Sequence, residues 1–184
     1  ARRSAQLAAA FAARGVTRGD RVAIVLPQSF ETVIVHLAVY RLGAIAVPLA
    51  LRFGPEALEF RLHASSAKLV VIDANGLPVL EEITGALPDL TDIVTVGAAR
   101  GDLPERATAG AVPIAETTPD DPAMIIFTSG TTGSPKGALH GHRVLLGHLP
   151  GMRFHHENMP QVGDRMWTPA DWAWAGGLLN VLLP

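Results

Sequence analysis

Apolar runs alternate with amphipathic segments along the first half of the chain. Short, mostly apolar runs occupy residues 21–26, 44–47, 68–73 and 92–96, as expected for strands that are buried on both faces of a parallel sheet. Segments with helical spacing lie between them. The pattern therefore predicts βαβ units and an α/β fold of layers around a largely parallel sheet.

Helix boundaries can be read from capping residues. Ser29 predicts the N-cap of a helix that Gly43 ends. A second helix is expected to start with Pro55 in its first turn, where the missing N–H costs nothing. Residues 2–13 favour a surface helix with Gly15 as its C-cap. Their faint similarity to a secretory signal is the less favoured interpretation, since the segment is weakly apolar.

One face of the helix after Ser29 is marked by apolar residues at helical spacing. They are Phe30, Val33, Ile34 and Leu37, followed by Tyr40 or Arg41.

The second half of the chain has a different organisation. Residues 98–122 contain four prolines and predict a connector. Residues 123–184 bring a strand at 123–127, a helix around 143–149 and a further strand at 165–168. We therefore divide one partial domain, 1–184, into a βαβ region at 1–97, the connector, and a last region at 123–184.

Composition excludes several classes of protein. The chain has 184 residues, of which 48% are hydrophobic and 17% charged, as in globular domains. A net charge of −2 without a basic block argues against a nucleic-acid partner. No apolar stretch reaches the roughly 18 residues of a membrane span. The absence of cysteine excludes disulfides and thiolate chemistry and fits a cytoplasmic protein.

A stretch of small residues follows the strand at 123–127. Positions 128–134 hold only hydroxylic residues and glycine, which let backbone N–H groups approach a polyphosphate closely. Lys136 adds a positive charge, although nearly all other basic residues are arginine. A strand before the loop and a helix after it are expected to hold its ends. The predicted nucleotide-binding residues are Thr128, Ser129, Gly130, Thr131, Thr132, Gly133, Ser134 and Lys136.

Two other interpretations of this loop are weaker. A flexible linker has similar composition, but it needs neither the preceding strand nor the Pro-Lys-Gly ending. The spacing from Gly130 to Lys136 fits a Walker loop. Pro135, however, replaces its second glycine and Gly137 its magnesium-binding hydroxyl. Because proline lacks an N–H, the Walker cradle cannot form.

Residues 127–137 resemble, at every position, the signature loop of the adenylate-forming superfamily. That superfamily contains acyl-CoA synthetases, firefly-type luciferases and the adenylation domains of peptide synthetases. Other segments are similar to its landmarks in the same order, at 19–24, 42–49, 55–58 and 118–123. Residues 170–177 are similar to the segment beside the acyl pocket in acetyl- and medium-chain acyl-CoA synthetases.

The resemblance implies two half-reactions. A carboxylate attacks the α-phosphorus of ATP to give an acyl-adenylate and pyrophosphate, and coenzyme A then accepts the acyl group. It implies that Lys136 is catalytic and that Thr128 helps to ligate Mg²⁺.

The segment beside the acyl pocket supplies the expected contacts to the acid substrate, namely Asp171, Trp172 and Trp174. The tryptophans could instead form an aromatic core cluster, and Asp171 could be a helix N-cap.

The resemblance also implies that motifs of the family lie beyond Pro184. We therefore expect a partial N-terminal domain that is inactive alone. It would expose an apolar surface that favours self-association, formed by Trp172, Trp174, Leu178, Leu179, Leu182 and Leu183. Two alternatives stay open, an adenylation or luciferase-like enzyme with another acceptor and a non-catalytic nucleotide-binding module.

Histidines cluster after the loop. His140 and His142 would share one face of a strand and could bind a metal. Solvated histidines near a site mouth are the favoured interpretation, because no carboxylate completes a ligand set.

Overall fold

The computed structural model describes residues 1–97, 103, 112–128 and 133–183. Its strands are β1 (Arg21–Val25), β2 (Ile45–Pro48), β3 (Leu69–Asp73), β4 (Asp92–Val96), β5 (Pro122–Thr128) and β6 (Lys136–Gly141). Its α-helices are α1 (Arg2–Ala13), α2 (Phe30–Arg41), α3 (Pro55–Ser65), α4 (Leu77–Ile83), α5 (Arg143–His155) and α6 (Ala175–Gly177). A 3₁₀ turn (Thr84–Ala86) follows α4, and a π-helical turn (Leu178–Leu182) follows α6. Within the described residues, no helix has the length and apolar character that crossing a membrane requires.

The six strands form one sheet in the order β4-β3-β1-β2-β5-β6. All strand pairs are parallel except β5 with β6. The prediction of an α/β fold with a largely parallel sheet is therefore confirmed. We call the side where β1 to β5 begin the amino edge of the sheet, and the side where they end the carboxyl edge.

Each face of the sheet packs against its own helices, because neighbouring residues of a strand point to opposite faces. In β1, Val22 and Ile24 join the core beneath α1 and α2. Ala23 and Val25 join the core beneath α3 and α4. Strands that are covered on both faces must be apolar at every position, which explains their continuous apolar runs.

Helix α2 begins at its predicted cap but turns a different face inward. Ser29 Oγ accepts a hydrogen bond from the Thr32 N–H at 3.4 Å. The residues that reach the core are Val35 and Val39, whereas Phe30 is 78% exposed. Because apolar residues occur all around this helix, their spacing could not identify its buried face.

Two predictions for the last region are wrong. Residues 165–168 form no strand in the structure, and Trp167 lies largely exposed. Leu178 and Leu179 are buried in the core beneath α1 and α2 rather than exposed. The expected apolar surface is therefore smaller than predicted.

The amino edge is cross-linked by side chains. Lys68 Nζ donates to the Gly15 carbonyl at 2.6 Å and to Asp20 Oδ2 at 2.8 Å. The same carboxylate accepts hydrogen bonds from the N–H and hydroxyl of Thr17. Burial raises the pKa of Asp20, but the hydrogen bonds from Lys68 and Thr17 outweigh it and hold the pKa below its usual value. These contacts join the turns that precede β1 and β3.

The end of the connector is attached to the same edge. Arg18 donates to the Glu116 carbonyl and pairs with Asp121 at 2.8 Å. Ala115 N–H donates to the Arg41 carbonyl, and a side chain at Gly43 would meet Ala115 at 3.2 Å. The described end of the connector is thus ordered by contacts with the turns around β1 and α2. Residues 98–102 and 104–111 of the predicted connector lie outside the described residues.

Candidate functional site

The loop that the sequence singles out lies at the carboxyl edge, as the connection between β5 and β6. The two strands pair up to Thr128 and Lys136, which are directly opposite each other. Four of its predicted nucleotide-binding residues lie outside the described residues, namely Ser129, Gly130, Thr131 and Thr132. The other four, Thr128, Gly133, Ser134 and Lys136, are described and exposed.

The expected strand–loop–helix arrangement is wrong, because a strand follows the loop. Helix α5 begins at Arg143, after β6 has crossed to the amino edge. No N-terminus of α5 therefore faces the loop, and a helix dipole of that kind cannot assist anion binding here. Positive potential must come from backbone N–H groups and from basic side chains.

Lys136 lies at the end of the loop and supplies a basic side chain. No hydrogen bond or ion pair to its side chain occurs among the described residues. Thr128 makes a single long contact, in which its hydroxyl lies 3.5 Å from the Lys136 carbonyl. Facing residues of an antiparallel pair lie on the same face. The side chains of Thr128 and Lys136 therefore lie on the same face of the strand pair.

Glycine is required at positions 133 and 137 for two different structural reasons. Gly133 has φ +121°, a conformation that side chains rarely adopt. Gly137 faces Phe127 across the strand pair. A Cβ at Gly137 would lie 2.8 Å from Ile125 and 3.4 Å from the Phe127 ring. The Pro-Lys-Gly ending thus lets an aromatic ring cover the backbone of β6.

The segment at residues 169–174 reaches the same edge of the sheet. Gln28, in the loop after β1, donates its side-chain amide to the Ala170 carbonyl. A cavity of about 440 Å³ opens there, lined by Leu26, Pro27, Gln28, Leu51, Arg52, Pro169 and Asp171. The loops after β1 and β2 lead to helices on opposite faces of the sheet, and such crevices are the usual ligand sites of open α/β sheets.

Asp171 stabilises the turn at residues 171–174 by accepting two hydrogen bonds. Its carboxylate accepts the Ala173 N–H at 2.9 Å, and its carbonyl accepts the Trp174 N–H at 3.1 Å. Helix α6 begins after Trp174 and has no side-chain cap. The N-cap alternative for Asp171 is therefore wrong, although the residue does line the cavity described above.

The two candidate tryptophans differ in surroundings. Trp172 lines a second cavity of about 380 Å³, together with Gln28, Ser29, Phe30, Glu31, Val33 and Leu182. Trp174 is 42% exposed. Sequence reasoning missed Gln28 and Phe30, which belong to this area through the loop after β1. A glutamine three residues after a buried strand was the available signal.

The histidines do not form a metal site within the described residues. His142 packs edge-on against Tyr40 with ring centroids 6.0 Å apart. Burial lowers the pKa of His142, partly offset by Asp121. Tyr40 in turn contacts the fully buried His36 at 3.1 Å. His142 therefore belongs to a packed polar cluster near the amino edge.

A family model described as AMP-binding enzyme matches residues 1–184, and the chain belongs to that family. It is 38% identical over 132 residues to the long-chain-fatty-acid–CoA ligase FadD13 of Mycobacterium tuberculosis, covering 71% of this chain and 26% of that protein. It is 33% identical over 198 residues to the acetyl-coenzyme A synthetase of Halorhodospira halophila, covering 95% and 30%.

Solved structures agree with these relatives. The crystal structure of ATP-bound MatB from Rhodopseudomonas palustris matches with a TM-score of 0.83 at 28% identity, covering 98% of this chain and 36% of that one. The chain thus spans about a quarter to a third of the length of the relatives it matches.

Proposed function

We propose that the protein to which this chain belongs is an ATP-dependent acid–thiol ligase. It activates a carboxylic acid as the acyl-adenylate, releases pyrophosphate and transfers the acyl group to coenzyme A. The observation that carries the proposal is the loop of hydroxylic and glycine residues at the carboxyl edge, which ends at Lys136 without a side-chain partner among the described residues. Relatives named as coenzyme A ligases support it.

Lys136 has the catalytic role in this proposal. Negative charge gathers on pyrophosphate as it leaves, and a preplaced ammonium stabilises that charge more than it stabilises the bound substrates. The neighbouring N–H and hydroxyl groups of residues 128–134 would hold the β- and γ-phosphates. Catalysis would therefore consist mainly of positioning and charge neutralisation.

Mg²⁺ fits this site only as an ion carried with the nucleotide. It prefers oxygen ligands and keeps several waters, and Thr128 offers one hydroxyl next to the loop. No described carboxylate contacts Thr128 or Lys136. When bound, the ion would neutralise phosphate charge, and Thr128 would be its ligand among the described residues of the loop.

The acid substrate is proposed to lie farther along the same edge, by the loop after β1. Trp172 supplies an apolar wall of one cavity, and Asp171 lines the other. Trp174, which is 42% exposed, is a further proposed contact to the acid. Adjacent strands are about 5 Å apart, so two strand spacings separate the loop after β1 from the phosphate loop. An adenylate could span that distance.

The proposal also covers the acceptor of the acyl group, the location of the protein and its self-association. The relatives' names favour coenzyme A over the acceptors of luciferase-like or adenylation enzymes. A cytoplasmic location and self-association through exposed apolar residues such as Trp174 are part of the proposal.

A pyrophosphate-release assay on the full-length protein tests this function. Short, medium and aromatic carboxylic acids should be screened with ATP, with and without coenzyme A. We expect acid-dependent release that coenzyme A accelerates. ATP binding without acid-dependent release would instead indicate a non-catalytic nucleotide-binding module. Release without consumption of coenzyme A would indicate another acceptor.

A further inference from the structure

Arg61, on α3, is a buried cation. Its residue surface is only 9% exposed, and its guanidinium donates from one terminal nitrogen to the Ala57 carbonyl at 2.6 Å. Its Nε is buried and has no hydrogen-bond partner. The guanidinium carbon lies 4.0 Å from the centroid of the Phe53 ring and 5.8 Å from that of Phe127. Two aromatic rings thus surround a positive charge.

The charge of Arg61 has no acidic partner among the described residues. Arg14, Arg18 and Arg143 each pair with an aspartate, but no carboxylate lies within ion-pair distance of Arg61. Burial lowers the pKa of Arg61, yet arginine stays protonated in proteins. A buried charge without a counter-ion is costly, and ring stacking compensates for only part of that cost.

The position of Arg61 connects it to the candidate phosphate loop. Phe53 lies in the loop after β2, and Phe127 immediately precedes Thr128. Strand register puts Thr128 and Lys136 on one face of the sheet and Phe127 with Gly137 on the other. Lys136 and Arg61 therefore flank the base of the loop from opposite faces.

We propose that Arg61 is a positioning residue that provides a fixed positive field for a polyphosphate bound beside Thr128 and Lys136. It acts through Phe127, whose ring it holds against Gly137, and through its uncompensated charge. The anionic phosphates supply the negative charge that no described carboxylate provides to Arg61. This inference rests on the proposed binding of ATP by the loop.

A purely structural role predicts a different pattern of effects. If Arg61 only attached α3 to β5 and β6, its loss would lower stability and weaken all ligands alike. A field acting on phosphates must affect ATP more than AMP, because ATP carries more negative charge at the loop.

The test compares variants of the full-length protein by calorimetric binding of ATP and of AMP, alongside thermal unfolding. Arg61→Met removes the charge but keeps an apolar stem, and Arg61→Lys keeps the charge. Arg21→Met is the matched control, since Arg21 donates to the Ser65 and Ser66 carbonyls at the opposite end of α3. We expect Arg61→Met to weaken ATP about fivefold to tenfold and AMP less than about twofold. Arg61→Lys should stay within about threefold of the wild type for ATP.

The possible results separate the two proposals. If the wild type does not bind ATP, the proposed function fails and this inference fails with it. If the wild type binds ATP and Arg61→Met binds it equally well, only the role of Arg61 is overturned. Equal weakening of ATP and AMP, or equal effects of Arg61→Lys and Arg61→Met, would leave Arg61 a structural residue and also overturn the inference.

Discussion

The two edges of the sheet use the same residue types for opposite purposes. At the amino edge, Lys68 is held by Asp20 and by the Gly15 carbonyl. At the carboxyl edge, Lys136 has no side-chain partner within the described residues. These are the only two lysines of the chain. A lysine whose donors are already satisfied stabilises the fold, whereas one left free is available to a ligand.

Surroundings account for this difference. The side chains of Lys68 and Asp20 are 29% and 19% exposed, so their attraction is less screened than that of a surface pair. Lys136 follows a loop of small residues that offers no carboxylate. We therefore expect the amino edge to contribute mainly to stability and the carboxyl edge to carry the proposed chemistry.

Replacing Lys136 should have the largest effect on activity. We expect Lys136→Ala in the full-length protein to slow pyrophosphate release about 100-fold, the usual cost of losing one group that stabilises transition-state charge. Unfolding should be unchanged, because no described contact is lost. Single-turnover pyrophosphate release and thermal unfolding measure the two quantities. An equal loss in the affinity for the acid would contradict this role.

Acid should weaken the polar cluster near the amino edge. Burial lowers the pKa of His36 to about 4, so between about pH 6.5 and pH 4 the unfolded chain binds a proton that the folded chain does not. Stability should therefore be complete above about pH 6.5 and fall by roughly 3 kcal/mol as the pH drops to about 4.

Denaturant unfolding at several pH values measures this dependence. We expect His36→Gln to flatten the decline and His63→Gln, at an exposed position, to leave it unchanged. The same slope in wild type and His36→Gln would show that other groups cause the acid sensitivity.

Lys68→Ala should destabilise the fold without altering the chemistry. It removes a partly buried ion pair and a hydrogen bond to Gly15. We expect a loss of about 1–2 kcal/mol in the free energy of unfolding. Pyrophosphate release per folded molecule should stay at the wild-type rate. A slowed reaction in fully folded protein would mean that the two edges are coupled.

An exposed ion pair at the amino edge should matter least. Arg143 pairs with Asp120, but the two side chains are 62% and 76% exposed. We expect Arg143→Ala to change the free energy of unfolding by less than about 0.5 kcal/mol. Urea denaturation in parallel with Lys68→Ala makes the comparison direct. A loss as large as that of Lys68→Ala would refute the dependence on burial.

The sequence predicted the parallel strands well but not the edge strand. Buried strands can be identified by continuous apolar runs, such as residues 68–73. Strand β6 contains Gly137, His140 and Gly141 and has exposed positions, so neither composition nor alternation identifies it. Pairing with β5 overrides its weak local preference. The reverse holds at 165–168, where apolar residues have no described strand beside them.

For the candidate site, the sequence identified the loop but not its surroundings. Thr128 and Lys136 were recognised from spacing, because glycine and hydroxylic residues limit which chemistry is possible. Arg61 gave no such signal, since an arginine at a helical position is ordinary. Its unusual features are burial between Phe53 and Phe127 and the lack of an acidic partner among the described residues, and both appear only in the structure.

The place of β5 in the sheet has a consequence for folding kinetics. β5 pairs with β2, although α3, β3, α4, β4 and the connector separate the two strands in the sequence. Contacts between such distant segments form slowly during folding. The pairs among β1, β2 and β3 join nearer segments and should form earlier. The phosphate loop would then take shape in the last folding step, and ATP should accelerate none of the earlier steps. Pulsed hydrogen exchange during refolding should show protection in β1 and β3 before β5, and simultaneous protection of all three strands would refute this order.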